Sequence, residues 1–162
     1  MKSFYQLFLI LFLTFLFGCK QQQTLTMNEK NIIEQEVKAA FNLLVDALNQ
    51  KDADAWSRNY SQGEFVSAFA MTDYYSNRAE WIETIKKYFE MRESQNMTLT
   101  KVRVTPLSQT LALMTSEDNT EMLFTNGETM KSRHVFTLVW SKEKDGWKII
   151  HSHESWIDVT NK

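Results

Sequence analysis

One cysteine in 162 residues leaves this chain without an internal disulfide framework or a cysteine-rich metal site. One proline and four glycines are too few for a collagen-like, low-complexity or linker-rich architecture. A basic excess is missing as well. The 18 Lys and Arg are set against 20 Asp and Glu, a formal charge of −2, whereas binding along a phosphate backbone usually leaves a basic imprint. Nucleic acid is therefore not an expected partner. There is no Gly-rich phosphate loop, no Gly-x-Ser-x-Gly elbow and no His-Glu-x-x-His helix, which counts against nucleotide-dependent enzymes and most hydrolases. No cofactor and no metal is expected. Apolar residues at 43% and aromatics at 13% are plentiful, enough for one domain with its own core.

The N-terminus reads as a targeting segment. Residues 1–18 carry Lys2, a largely apolar stretch over 4–17 and Gly18 before the single cysteine, Cys19. That stretch is shorter than the roughly 20 residues that cross a bilayer as a helix, which fits a cleaved segment better than a permanent span. Leu16-Phe17-Gly18-Cys19 resembles the lipobox of bacterial lipoproteins. The resemblance implies cleavage before Cys19, acylation of that residue, and a lipid anchor in the cell envelope facing periplasm or cell exterior. Residues 19–30 would then be a polar tether and residues 31–158 the exported domain. Acyl chains contribute about 0.8 kcal/mol per buried methylene, so several on one residue hold a domain durably at a membrane. An acylated Cys19 is not available as a nucleophile.

Within the exported part, Ile33, Val37, Phe41, Leu44 and Leu48 recur at helical spacing, and Asn31 with Glu34 forms a capping-box pattern. Asp52 can cap a short helix carrying Trp56 and Tyr60, residues 65–71 read as a strand, and Asn77 can cap a helix burying Trp81, Ile82, Ile85 and Phe89. Beyond Ser94 the period changes to two. Four long strands are expected over 98–105, 110–125, 130–141 and 147–158, separated by turn signals at Pro106, Asn126-Gly127 and Asp145-Gly146. Helices first and strands last give an α+β domain with its helices on one face of a curved antiparallel sheet. Uninterrupted alternation in the last strand would put Trp147, Ile149, His151, His153 and Ser155 on one face, the expected interior. With residue numbers summing to 289 across the last hairpin, His134 falls opposite Ser155.

This order of elements, with NRAEWIE at residues 77–83 and DGWKIIHSHESW at residues 145–156, resembles the nuclear transport factor 2-like superfamily, and within it the SnoaL-like and ketosteroid isomerase-like domains. The resemblance implies a cone, in which a strongly bent sheet wraps the first helix and encloses an apolar pocket. Members include isomerases, dehydratases, cyclases, binding domains and assembly modules, so fold alone does not choose the activity. It also implies a homodimer through the outer face of the sheet.

His153 and Ser155 match the family's closing motif and would face the pocket. His153 is the candidate base, with Asp73 to orient it and Tyr60 as a phenol donor. His134, His151, Ser155, Trp56 and Trp140 are candidate ligand contacts, although the two tryptophans fit a core better than a ligand platform. The leading expectation is a pocket for a small, largely apolar ligand. The alternatives are a cofactor-independent isomerase, dehydratase or cyclase with a histidine base, and a non-catalytic assembly module.

Overall fold

The computed structural model describes residues 24–161. The signal segment and the lipidation expected at Cys19 lie outside the described residues. Helix α1 (Met27–Gln50) begins one turn earlier than the Asn31 pattern suggests. Its capping box is Thr26 with Glu29: the Thr26 hydroxyl accepts from the Glu29 N–H at 3.2 Å, and the Glu29 carboxylate accepts from the Thr26 N–H at 2.8 Å. Asn31 and Glu34 lie inside the helix, where Glu34 pairs with Lys38 one turn on. Both boxes fit the pattern, and Leu25, packed on the core just before Thr26, holds the chain at the earlier start.

Helix α2 (Ala53–Ser57) is capped as expected, the Asp52 carboxylate accepting from the Ala55 N–H at 2.8 Å. It ends before Tyr60, however. Residues 59–61 instead run beside Ile149: the Ile149 N–H donates to the Asn59 carbonyl and the Ser61 N–H donates to the Ile149 carbonyl. Helix α3 (Arg78–Glu90) starts at Asn77, whose side chain accepts from the Ala79 N–H, and it buries Trp81, Ile85 and Phe89.

Six strands form one sheet: β1 (Ser67–Ala70), β2 (Asp73–Tyr75), β3 (Arg92–Pro106), β4 (Leu111–Phe124), β5 (Thr129–Glu143) and β6 (Gly146–Asp158), in the order β2-β1-β6-β5-β4-β3. The last four are the expected antiparallel meander. The sheet as a whole is mixed, because β1 adds to the free edge of β6 in parallel. Strand β2, not expected from its three residues, folds back antiparallel on β1. Gly127 at φ 86° supplies the left-handed turn residue between β4 and β5.

The core lies between α1 and the inner face of the sheet. Val37, Phe41, Met114, Leu138, Trp140 and Ile149 are each 2% exposed or less. Burying a side chain of this size contributes roughly 1.5–3 kcal/mol. Along β4 the inward positions are Ala112, Met114, Ser116, Asp118, Thr120 and Met122, all buried. The inner wall thus turns from apolar to polar along one strand.

A bulge in β6 decides which side chains join that wall. Next to the turn, Trp140 pairs with Ile149 and Ser141 with Lys148, as even alternation requires. One step further, Val139 pairs with His151, so Ile150 is an extra residue. Its carbonyl accepts from the Val66 N–H at 2.7 Å, which anchors the bulge to the segment leading into β1. Beyond it every side chain changes face. Trp147 and Ile149 point inward before the bulge; Ser152, Glu154 and Trp156 take the inward register after it, opposite Leu138, Phe136 and His134. The expected inward set of His151, His153 and Ser155 is therefore corrected: they lie on the outer face.

Candidate active site

The polar end of the inner wall brings together side chains from β4, β5 and β6. Asp118 and His134 are direct cross-strand partners, and Glu154 lies one register step from His134 on the far side. His134 Nδ1 and Glu154 Oε1 are 2.6 Å apart, and His134 Nε2 and Ser132 Oγ are 2.7 Å apart. An ionised carboxylate only accepts, so Nδ1 carries the proton given to Glu154. Both ring nitrogens are thus committed to protein partners. The imidazole lies between Phe136 and Trp156, with ring centroids 6.0 and 6.1 Å away and near-parallel planes.

Among the described residues, two carboxylate oxygens in this cluster have no hydrogen-bond partner. Asp118 Oδ1 accepts from Thr120 Oγ1 at 3.1 Å, while Oδ2 is buried with no partner. Asp118 is fully buried, and burial pushes its carboxyl up to about 6, against the opposing pull of His134. Near neutral pH it can hold or give a proton. Glu154 spends only Oε1 on His134, and its side chain is 19% exposed against 9% for His134. Glu154 is thus the more solvent-exposed member of the pair. The Arg92 guanidinium, over the Tyr88 ring at 5.6 Å, lies in the field of Glu154. Among the described residues no group of three or more His, Cys, Asp and Glu side chains is arranged to hold a metal ion.

Of the residues singled out in the sequence, only His134 belongs to this cluster. Tyr60 is buried in an aromatic nest with Trp56, Trp81 and Phe65, and its hydroxyl donates to Ser152 at 3.3 Å. Burial pushes its phenol up to about 12, which suits a structural hydroxyl. Asp73 is exposed on β2 and does not meet Tyr60. Trp56 and Trp140 are core, 3% and 0% exposed. His151, on the outer face, is 2.8 Å from Ser67 Oγ through Nδ1, and burial lowers its pKa. His153 is exposed against Phe69, with Ser155 Oγ 3.5 Å from its Nε2. Asp118 escaped the sequence reading, and Glu154, which unbroken alternation puts with Trp156 on the outward face or in a dimer contact, is turned inward by the bulge. Asp118 did leave a signal, a carboxylate in phase with Ala112, Met114 and Met122.

A bent sheet around a long helix, with an acid–base cluster at the polar end of its inner wall, defines a class of small cone-shaped α+β domains. The SnoaL-like domain profile matches residues 37–159, and the chain belongs to that family, within the nuclear transport factor 2-like superfamily. Among solved structures it is similar to a candidate dehydratase of the NTF2-like family from Streptomyces avermitilis, with TM-score 0.68 and 20% identity over 76% of this chain and 95% of that one. It is also similar to an NTF2-like superfamily protein from Salmonella enterica subsp. enterica serovar Typhimurium str. LT2, with TM-score 0.71 and 15% identity over 77% and 91%. A third is a candidate scytalone dehydratase from Novosphingobium aromaticivorans DSM 12444, with TM-score 0.72 and 12% identity over 84% and 94%. No curated protein matches the chain. At these identities the likeness establishes the fold.

Proposed function

We propose that this protein is a cofactor-independent enzyme of the dehydratase or isomerase type, acting by proton transfer on a small molecule. The reading rests on the buried Asp118–His134–Glu154 cluster, in which His134 and Glu154 are 2.6 Å apart and one oxygen of each carboxylate is uncommitted. Glu154 Oε2 is the base. His134, with both nitrogens engaged, is a positioning residue that fixes the carboxylate rather than the group that meets substrate. In an isomerisation Glu154 takes a proton from one carbon and returns it to another while protonated Asp118 hydrogen-bonds to the oxygen on which charge develops; in a dehydration Glu154 keeps the carbon proton and Asp118 gives its own to the departing hydroxyl, which leaves as water. The names of two similar structures, candidate dehydratases, agree with this class of chemistry.

The test is incubation of the full-length chain with small hydroxy- and keto-compounds in deuterated water. Deuterium incorporation or loss of water is expected, falling by about 10²–10⁴-fold in Glu154→Gln. Undiminished turnover in Glu154→Gln would overturn the assignment. The near closure of the cluster, with Asp118 0% and His134 7% exposed, favours a second reading, retention of a small ligand without turnover. Native mass spectrometry that finds a bound molecule and no conversion would select it.

Two further expectations stand as proposals. The protein is held in the cell envelope through an acylated Cys19; Cys19→Ser should release it from the membrane fraction or block its maturation. It pairs as a homodimer through the outer sheet face, where Val135 is 48% and Ile157 44% exposed.

A further inference from the structure

Arg92 opens β3 directly after α3, and three contacts hold this part of the chain in place. Its carbonyl accepts from Lys51 Nζ at 2.6 Å, its guanidinium lies over Tyr88, and its Nη1 donates to Gln95 Oε1. Gln95 is itself fixed by donating to the Leu48 carbonyl at the end of α1. The other edge of the guanidinium is unused. Nε is buried with no acceptor, and Nη2 has none among the described residues. Arg92 is half-buried and forms no ion pair with any described carboxylate, although it lies in the field of Glu154.

The free edge is the chemically specific one. Nε–H and the Nη2–H on the same side point in parallel and match the two oxygens of a carboxylate, the side-on bidentate geometry that a lysine does not reproduce. A buried N–H without an acceptor is rare and calls for an explanation. Glu154 restricts what the edge accepts, since a dianion such as phosphate meets its negative charge more strongly than a monoanion does. We propose that the Nε/Nη2 edge of Arg92 is a carboxylate subsite, and that the substrate of the neighbouring cluster is a small monocarboxylic acid. This rests on the acid–base reading above and narrows its substrate class beyond the small, largely apolar ligand expected from the sequence.

The experiment uses the full-length chain in a neutral detergent. Thermal unfolding is followed with acetate against chloride at matched ionic strength, and binding of benzoate is compared with benzamide by calorimetry. Acetate should raise Tm beyond chloride, and benzoate should bind about tenfold or more tightly than benzamide, as expected for a charge-assisted fork. Both differences should vanish in Arg92→Gln. Arg92→Lys keeps the charge without the fork and should lose most of the benzoate preference, so it decides the matter if the Gln variant does not fold. Equal effects of acetate and chloride, with equal binding of benzoate and benzamide, overturn the subsite. So does a benzoate preference that survives both substitutions. Glu154→Gln keeps the preference and lowers turnover by about 10²–10⁴-fold. Carboxylate selectivity without any turnover therefore counts against the acid–base reading alone, and turnover of neutral compounds without selectivity counts against the subsite alone.

Discussion

Asp118→Asn separates the electrostatic cost of the cluster from its packing. The carboxyl is fully buried, keeps one oxygen without a partner, and is pushed up from 3.8 to about 6 by burial. When the folded value lies above the unfolded one, the protein binds the proton more tightly when folded. The resulting stabilisation is fully present below about pH 4 and is lost as pH rises through the folded value near 6. At about 1.4 kcal/mol per unit, the displacement from 3.8 to about 6 corresponds to about 3 kcal/mol. Asn has nearly the same shape and does not ionise. Urea or thermal unfolding of wild type and variant in parallel should give equal stabilities near pH 4. At about pH 8 the wild type should be about 3 kcal/mol less stable than Asp118→Asn, roughly 6–12 °C in Tm for a chain of this size. The difference should develop around pH 6, and titrations common to both proteins cancel. A gap that does not change with pH, or one that grows in favour of the wild type at alkaline pH, would refute the argument that burial of this carboxyl sets its proton affinity.

Two other substitutions test the architecture. His153→Ala removes an exposed side chain from the outer face of β6, so turnover should stay within about twofold of wild type and stability within about 0.5 kcal/mol; a large loss in a steady-state assay would show that the outer face takes part in the reaction. Leu138→Ala empties a position 1% exposed between Met114 and Ser152 and should cost about 2–5 kcal/mol in chemical denaturation, with loss below about 1 kcal/mol arguing against the tight packing of this wall.

Much of the framework was legible in the sequence because it depends on local signals. The apolar stripe of α1, the caps at Asp52 and Asn77 and the Asn126-Gly127 turn each follow from a few adjacent residues. The early start of α1 and the parallel docking of β1 depend on contacts remote in sequence, with Leu25 on the core and residues 67–70 on β6. The site was less legible for one physical reason. Period-two reasoning assumes an unbroken strand, and the extra residue at Ile150 inverts the faces of residues 151–156. His134 does face inward, because β5 is regular through residues 132–139, but the bulge sets it opposite Trp156 rather than the expected Ser155. Asp118 could have been found by asking which inward-phase residue of β4 is charged. Arg92 meets Gln95 and Tyr88 locally, but its nearness to the field of Glu154 depends on the fold.

The bulge at Ile150 gives β6 two reading frames. Up to Ile149 the strand builds apolar core, and past it the same alternation delivers Ser152, Glu154 and Trp156 to the reactive end while turning the histidines away. Were Ile150 to take a regular place opposite Val139 instead of bulging, no residue would be lost, yet the interior beyond it would be lined by His151 and His153 in place of Ser152 and Glu154. In this fold a single inserted position thus separates two chemically different interiors, and a relative of the same length and hydrophobic pattern can hold the opposite set of groups.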